Sequence, residues 1–206
     1  MARINLEDIY KARSLEELRE TYDGWADAYD EQMYDDYGHL GCKLLVEHVG
    51  PLLATNAVIL DAGAGTGTLG EALHGGGFKV IDGIDMSAGM LEQARAKGVY
   101  RHLGTAVLGE RLDFPDDGYD AILSSGVFTV GHAPPESFYE LIRITRKGGL
   151  IGFTMRDDER PEGFVAMFER LEADGSWRKV HESEPHSILS RGDARYTQRY
   201  WGFEVI

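Results

Sequence analysis

A glycine-rich turn between a strand and a helix places the tightest constraint on how this chain can fold. Residues 57–61 read Ala-Val-Ile-Leu-Asp, mostly branched apolar residues that end in an acid, as in a buried strand. Glycines then alternate over residues 63–67, and a helix is expected over residues 68–74. A second strand over residues 80–85 again ends in an acid. This order predicts a βαβ unit of a parallel sheet, with a ligand crevice at the carboxyl ends of its strands.

The two acids of this unit discriminate between nucleotides. Asp85 lies 18 residues after Gly67, which suits a carboxylate that accepts both hydroxyls of a ribose. Residues 65–70 match the dinucleotide fingerprint G-x-G-x-x-G, but alone that match is weak. Asp61 argues against a dinucleotide, because a fixed negative charge beside the turn would repel a pyrophosphate. A ligand with a cationic amino-acid end fits better, and S-adenosylmethionine has a ribose, an ammonium, a sulfonium and no phosphate.

Here the sequence resembles the class I S-adenosylmethionine-dependent methyltransferases. Residues 61–67, with Asp85 closing the next strand, resemble their motif I and its follow-on. Residues 22–30, Tyr-Asp-Gly-Trp-Ala-Asp-Ala-Tyr-Asp, resemble the lead-in of many small members, and residues 86–95 match their second-helix signature. The combination looks most similar to the methyltransferase-like protein family of the Williams–Beuren syndrome region. The resemblance covers residues 15–155, and it is nearly silent on the acceptor.

The resemblance implies an α/β fold of the three-layer, Rossmann-like methyltransferase type. Its sheet is expected to be seven-stranded and mostly parallel, in the order 3-2-1-4-5-7-6, with an N-terminal helical lid. At 206 residues the chain is expected to form a single domain. We divide it into a helical cap (1–50), a cofactor-binding core (57–155) and a C-terminal helix with a β-hairpin (156–206).

Local signals set the expected elements outside the first βαβ unit. Ser14 opens a capping box that predicts a helix over residues 15–22, followed by helical pieces over 25–34 and 37–49. Residues 147–149, Lys-Gly-Gly, are expected to form a turn before the fifth strand. Further helices are expected over 87–97, from 134 onward and over 163–173, and further strands over 99–104, 119–124, 150–155, 177–184 and 194–206.

The lead-in is unusually aromatic, with Tyr10, Tyr22, Trp25, Tyr29, Tyr34 and Tyr37. Most of these rings are expected to fix the cap to the sheet. For Tyr22, Trp25 and Tyr29 the resemblance supports a lid over the methionine end of the cofactor. An aromatic face near a sulfonium gains roughly 1–2 kcal/mol of cation–π attraction when desolvated.

The resemblance also implies a set of cofactor contacts from the lid, the glycine turn and the strand ends. Relatives usually carry an acid just after the third strand, where it accepts from the adenine amino group. Residues 104–107 read Gly-Thr-Ala-Val here, so Thr105 and backbone groups are expected to substitute. The expected cofactor-binding residues are Tyr22, Trp25, Tyr29, Asp61, Ala62, Gly63, Gly65, Gly67, Asp85, Met86, Thr105, Ala106 and Ser125.

His132 is the candidate catalytic residue, as a proton acceptor that follows the fourth strand and has a pKa near working pH. The alternative is a structural histidine near the start of the next helix, bonded to backbone. Related quinone-pathway enzymes carry a Glu-His pair here, whereas this chain has Gly131 before the histidine, which weakens both a base relay and a metal site. No metal is expected. Asp157 and Asp158 are candidates for binding a cationic substrate, or are solvated loop acids.

Charge and cysteine content narrow the partners. The formal net charge of −14 disfavours nucleic acid and an anionic membrane surface, and leaves a cationic or neutral small molecule compatible. Cys42 is the only cysteine, which excludes an internal disulfide and a thiolate metal cluster. Residues 1–8 lack the apolar core of a signal peptide, so a cytoplasmic location is expected. The expected oligomeric state is a monomer or a homodimer. A protein methyltransferase, a cofactor-binding regulatory module and a nucleotide-dependent oxidoreductase stay open as alternatives.

Overall fold

A single mixed β-sheet organises the molecule in the computed structural model, which describes residues 12–157, 160–191 and 196–206. The order is β3-β2-β1-β4-β5-β8-β6, with β7 paired to β8. Strands β1 to β5 pair in parallel, and β8 runs antiparallel to β5, β6 and β7. The strands are β1 Val58–Ala62, β2 Val80–Asp85, β3 His102–Thr105, β4 Tyr119–Ser124, β5 Thr145–Arg156, β6 Trp177–Glu182, β7 His186–Ser187 and β8 Thr197–Val205.

Helices cover the sheet and the carboxyl ends of its parallel strands. Two apolar clusters hold them, one containing Phe138, Phe153 and Trp177 and the other containing Leu45 and Leu73. The helices are α1 Leu15–Asp30, which continues as a π-helical segment Glu31–Asp36, α2 Gly41–Val49 with a 3-10 turn Gly50–Leu52, α3 Thr68–Gly75, α4 Ala88–Ala96, α5 Ser137–Ile144 and α6 Phe164–Ala173.

The predicted fold class is confirmed, with one strand more than expected. Residues 186–187 form the short strand β7 inside the expected loop, because their backbone pairs with residues 197–198 of β8. The last long strand is therefore the eighth rather than the seventh, and the order otherwise matches the prediction. Strands β2 and β4 have the predicted bounds. The first two residues expected for the last strand, 194 and 195, lie outside the described residues, as does Tyr10.

The expected break between two N-terminal helices is wrong. Helix α1 runs through Gly24 without interruption. A glycine inside a helix costs about 1 kcal/mol relative to alanine. Burial of Leu18 and Trp25 in the small apolar cluster beneath α1 offsets that cost, because each fully buried large apolar side chain contributes roughly 1.5–3 kcal/mol.

Two smaller expectations also change. The third strand is shorter than predicted and starts only at His102. The expected turn at residues 147–149 lies inside β5, where the register against β4 shifts between Tyr119 and Ala121. Gly148 has φ 73° at this irregularity, so the local turn signal is present as a bulge within one strand.

Candidate active site

Two adjoining cavities lie at the carboxyl ends of the parallel strands, beside helix α1. The larger cavity has a volume of about 460 Å³ and the second cavity about 380 Å³. Both volumes lie in the range of roughly 300–1,000 Å³ that is usual for small-molecule sites. Five residues border both cavities and mark their junction: Tyr22, Tyr29, Ser125, Gly126 and His132.

The glycine turn after β1 forms one wall of the larger cavity. The N–H groups of Gly63 and Ala64 both donate to the Ile84 carbonyl, at 2.8 and 2.9 Å, which fixes the turn against the end of β2. Gly63 has φ 84°, and a Cβ there would come within 2.2 Å of a methyl group of Val127. Gly65 also has positive φ and lines the cavity. The turn therefore requires glycine both for its conformation and for close approach.

Asp85 joins the turn to helix α4 at the wall of the larger cavity. One carboxylate oxygen accepts from the Gly65 N–H at 2.8 Å, and the other accepts from the Ser87 N–H at 2.9 Å. Burial raises the pKa of Asp85, and hydrogen bonds from the N–H groups of Ser87, Gly65 and Met86 oppose that rise. A carboxylate offers about four acceptor sites, so acceptor capacity remains for a hydroxyl group of a ligand.

Asp61 lies beneath the turn with no exposed surface, and it does not line either cavity. The Tyr100 hydroxyl donates to its Oδ2 at 2.7 Å, while Oδ1 is buried with no hydrogen-bond partner in the described part of the chain. Burial raises the pKa of Asp61 to about 7, and the neighbouring charge of Asp85 adds to the rise. The expectation of a fixed charge beside the turn is therefore corrected: near pH 7 this acid is partly protonated in the free protein.

Helix α1 is fixed over the site by two aspartates. The Asp23 carboxylate accepts from the Ser87 hydroxyl at 2.6 Å and from the Gly89 N–H at 2.9 Å, at the start of α4. Asp30 accepts from the Thr66 hydroxyl at 2.5 Å and pairs with the Lys97 ammonium at 2.9 Å. These contacts hold one face of α1 against the glycine turn and α4.

The aromatic residues of α1 differ in what they face. Tyr22 and Tyr29 line both cavities. Trp25 is almost completely buried, donates its indole N–H to Gln32 Oε1 at 3.0 Å and lines only the second cavity. Its ring packs edge-on against Tyr29, with centroids 4.6 Å apart. Trp25 therefore packs against Tyr29 without itself lining the larger cavity.

His132 sits at the junction with its tautomer set by its neighbours. Its Nδ1 lies 3.0 Å from the Val130 carbonyl, which can only accept, so the neutral ring carries its proton on Nδ1. Nε2 then accepts from the Tyr22 hydroxyl at 2.8 Å. Burial lowers the pKa of His132, so the ring is neutral at neutral pH and can take up a proton at Nε2 only by way of its bond to the Tyr22 hydroxyl.

The expected cofactor-binding residues divide into two groups. Eight line the larger cavity: Tyr22, Tyr29, Gly63, Gly65, Asp85, Met86, Ala106 and Ser125. Five do not: Trp25, Asp61, Ala62, Gly67 and Thr105. Of these, Ala62 is buried within β1 and Gly67 lies close to Ala94 and Tyr100, so both residues contribute to the packing of the fold.

Sequence reasoning missed Glu110, which lines the larger cavity together with residues 106–109. An acid was expected directly after β3, and Glu110 comes five residues after its last residue, Thr105. The loop past β3 folds back along the cavity, so this displaced acid still borders it. Glu110 could not be identified from the sequence, because it is separated from the strand and no local pattern predicts the path of a loop.

The other candidate acid is already paired. Asp157 accepts from Arg199 at 2.7 Å and from Arg160, and these contacts hold the pKa of Asp157 below its ordinary value. It lines neither cavity, and Asp158 lies outside the described residues. Within the described ranges no group of three or more His, Cys, Asp or Glu side chains is arranged to hold a metal ion. A bilayer-spanning helix, long and apolar throughout, is also absent from those ranges.

Comparison with known proteins identifies relatives. A family model described as a methyltransferase domain matches residues 60–153. Human methyltransferase-like protein 27 is 35% identical over 164 residues, 76% of this chain and 66% of that protein. Demethylmenaquinone methyltransferase of Thermobifida fusca is 38% identical over 97 residues, 45% of this chain and 40% of that one. The solved structure of the cyclase SpnF is similar with a TM-score of 0.72 at 15% identity, covering 94% of this chain and 97% of that chain.

The similarities differ in what they support. The chain spans 66% or less of the length of each of these two curated relatives. At 15% identity the cyclase shows the fold alone, and its name describes a different reaction. The chemistry must therefore be argued from the site rather than from the fold.

Proposed function

Because the chain belongs to the class I S-adenosylmethionine-dependent methyltransferases, we propose that it methylates a small molecule held in the second cavity. The observation that carries the proposal is the junction of two cavities at Tyr22, Tyr29 and His132. S-adenosylmethionine, when bound in the larger cavity, supplies a methyl group on a sulfonium for in-line displacement. Positioning of two reactants can lower such a barrier by roughly 7–11 kcal/mol, so no covalent residue is required.

The residues of the larger cavity fit this cofactor. Asp85 has acceptor capacity for a ribose hydroxyl beyond its bonds to the N–H groups of Gly65, Ser87 and Met86. Glu110 offers an acceptor to the adenine amino group, in place of the acid that relatives carry directly after β3. Tyr22 and Tyr29 line the cavity, and an aromatic face near the sulfonium would add cation–π attraction. An ammonium group of the cofactor near Asp61, beneath the turn, would favour the ionised carboxylate and so lower its raised pKa.

Tyr22 and His132 supply a path for a proton from the acceptor. The Tyr22 hydroxyl already donates to Nε2 of His132, so its oxygen can accept a proton from a nucleophile as its own proton passes to the imidazole. The Val130 carbonyl keeps the other ring nitrogen protonated and holds the ring in place. This role for His132 makes it a general base through one intervening hydroxyl.

A small acceptor is favoured over a protein because α1 covers the site. Its contacts through Asp23 and Asp30 hold it across the cavities, and the second cavity has the volume of a small-molecule site. The relative from Thermobifida fusca is named for a small-molecule acceptor, demethylmenaquinone, which agrees with this preference.

The test is a panel of small phenols, carboxylic acids, amines and thiols incubated with S-adenosylmethionine, with release of S-adenosylhomocysteine as the readout. We expect turnover above background for at least one class, and a loss of at least tenfold in kcat for His132→Gln with cofactor affinity retained. Arg178→Gln, on the distant strand β6, is the matched control. Binding of NADH without binding of S-adenosylmethionine would contradict the proposal, and turnover only on protein substrates would move the acceptor outside the second cavity.

A further inference from the structure

Tyr100 connects two residues that the lining of the larger cavity does not explain. Asp61 and Gly67 were expected to bind the cofactor, yet neither lines that cavity. The Tyr100 hydroxyl donates to Asp61 Oδ2 at 2.7 Å, and its ring lies 3.0 Å from the position that a Cβ on Gly67 would take. Both residues therefore contact one tyrosine, which comes shortly before β3 and belongs to neither the glycine turn nor the cavity wall.

The third glycine of the G-x-G-x-x-G match contacts the same tyrosine. The Gly70 N–H, in the first turn of α3, donates to the Tyr100 hydroxyl oxygen at 3.2 Å. A Cβ on Gly70 would lie 2.3 Å from that oxygen, which is too close for any side chain to pack. In dinucleotide-binding folds the third glycine allows a helix to pack closely on a strand. Here it makes room for a hydroxyl group, so the fingerprint is accounted for without a dinucleotide.

The tyrosine hydroxyl links the N-terminus of α3 to the buried acid. It accepts from Gly70 and donates to Asp61, so the two bonds direct the positive end of the helix toward the carboxylate. Burial raises the pKa of Asp61, whereas its hydrogen bonds from Tyr100 and Gly70 lower it. Burial also raises the pKa of Tyr100, so its hydroxyl keeps the proton that it donates. Tyr100 therefore favours the ionised form of Asp61 and fixes the position of Oδ2.

The described part of the chain supplies no cation that pairs with Asp61. Its Oδ1 is buried without a hydrogen-bond partner there, and the charge of Asp85, at the end of β2, opposes ionisation. Burial raises the pKa of Cys42, on α2, to about 11, so this thiol is neutral at pH 7. Lys97, just after α4, is paired with two other acids. A buried acceptor without a partner costs free energy, and a cationic group of a ligand would offset that cost.

From this arrangement we infer that Tyr100 is a positioning residue for cofactor binding, which holds Asp61 beneath the glycine turn as the counter-ion of the ammonium group of S-adenosylmethionine. The inference rests on the proposed function, because it assigns the larger cavity to that cofactor. An opposite charge acts on a carboxylate over roughly 4–6 Å, so Asp61 need not line the cavity to attract the ammonium group. Removal of the Tyr100 hydroxyl should therefore weaken binding of the amino-acid end and leave binding of the nucleoside unchanged.

The test compares two ligands that share adenosine and a thioether. S-adenosylhomocysteine carries the amino-acid end, whereas 5′-methylthioadenosine lacks it. Both affinities are measured by calorimetry on the full chain at pH 6 and pH 8. The ionised fraction of Asp61, with a pKa of about 7, rises from about one tenth to about nine tenths between these pH values. In wild type we therefore expect the affinity for S-adenosylhomocysteine, relative to that for 5′-methylthioadenosine, to rise about tenfold from pH 6 to pH 8.

Tyr100→Phe keeps the ring and removes the hydroxyl, which should raise the pKa of Asp61 further. We expect its affinity for S-adenosylhomocysteine to be at least about tenfold below wild type at pH 6, with a smaller deficit at pH 8. Its affinity for 5′-methylthioadenosine should stay unchanged. Tyr119→Phe is the matched control, because the Tyr119 hydroxyl donates to the buried acid Asp82 at 3.1 Å and Tyr119 lines neither cavity. This control should bind both ligands as wild type does.

The outcomes distinguish this inference from the proposed function. If the wild-type chain does not bind S-adenosylhomocysteine, the proposed function fails. If it does, the inference is overturned when Tyr100→Phe weakens both ligands equally, weakens neither, or shows the same deficit at both pH values. A wild-type ratio of affinities that is equal at pH 6 and pH 8 would also overturn it. Should Tyr100→Phe not fold, Gly70→Ala decides in the same assay, because its Cβ displaces the Tyr100 hydroxyl while the ring is retained.

Discussion

Replacing Asp61 with asparagine should stabilise the free protein at high pH. The carboxyl is completely buried, and its pKa is raised from an ordinary value of 3.8 to about 7. Between those values the folded state binds more protons than the unfolded state, so the acid lowers stability progressively as pH rises through this window. The corresponding loss is roughly 1.5 kcal/mol at pH 5 and roughly 4 kcal/mol at pH 8.

Asparagine cannot ionise, so Asp61→Asn removes this pH-dependent loss. Its amide oxygen can still accept from the Tyr100 hydroxyl, while its NH2 group adds buried donors that cost roughly 1–3 kcal/mol at every pH. That constant cost cancels when two pH values are compared. The difference in free energy of unfolding between variant and wild type should therefore rise by about 2.5 kcal/mol from pH 5 to pH 8.

Urea denaturation of the free protein, followed by circular dichroism at pH 5 and pH 8, measures this difference. With a slope of about 2 kcal/mol/M, the variant's urea midpoint relative to wild type should rise by about 1 M between the two pH values. Asp82→Asn, one strand away, is the matched control. Asp82 accepts from Arg101 and from the Tyr119 hydroxyl, so its replacement should lower the free energy of unfolding at both pH values. The same variant-minus-wild-type difference at pH 5 and pH 8 would refute the reasoning.

Two further predictions concern the lid and the turn. Asp23→Ala removes two hydrogen bonds to the start of α4 and should cost about 1–2 kcal/mol, seen as a thermal midpoint lower by roughly 2–4 °C for each kcal/mol. Because the bonds from Ser87 and Gly89 lower the pKa of Asp23, the deficit should shrink as pH falls through that lowered pKa, and a deficit independent of pH would contradict this. Gly63→Ala places a Cβ 2.2 Å from a methyl group of Val127, so the free energy of unfolding in urea should fall by about 1–3 kcal/mol. Adding Val127→Ala should recover part of that loss. A single variant as stable as wild type would show that the turn tolerates a side chain.

The sheet was predictable where local pattern and tertiary packing agree. Strand β2 has the apolar residues Val80, Ile81 and Ile84 between turn signals, and both of its bounds were predicted correctly. Helix α1 was not, because burial of Leu18 and Trp25 keeps the chain helical through Gly24. Strand β7 was missed because two residues are too few to show the alternation of a strand, and only their pairing with β8 defines them.

The site was predictable to a smaller extent. The glycine turn and Asp85 belong to one local motif, so both were found. The burial of Asp61 depends on Tyr100, 39 residues away, which no spacing rule reveals. The second cavity is assembled from residues between Tyr22 and Gln198, so its lining became visible only when the fold brought them together.

The central claim, that the larger cavity binds S-adenosylmethionine through Asp85, is tested most directly by calorimetry with S-adenosylhomocysteine on wild type and Asp85→Asn. We predict a dissociation constant in the micromolar range for wild type, and an affinity at least tenfold lower for the variant, because the amide has one acceptor oxygen where the carboxylate has two. An equal affinity in both proteins, or tight binding of NADH with none of S-adenosylhomocysteine, would contradict the claim.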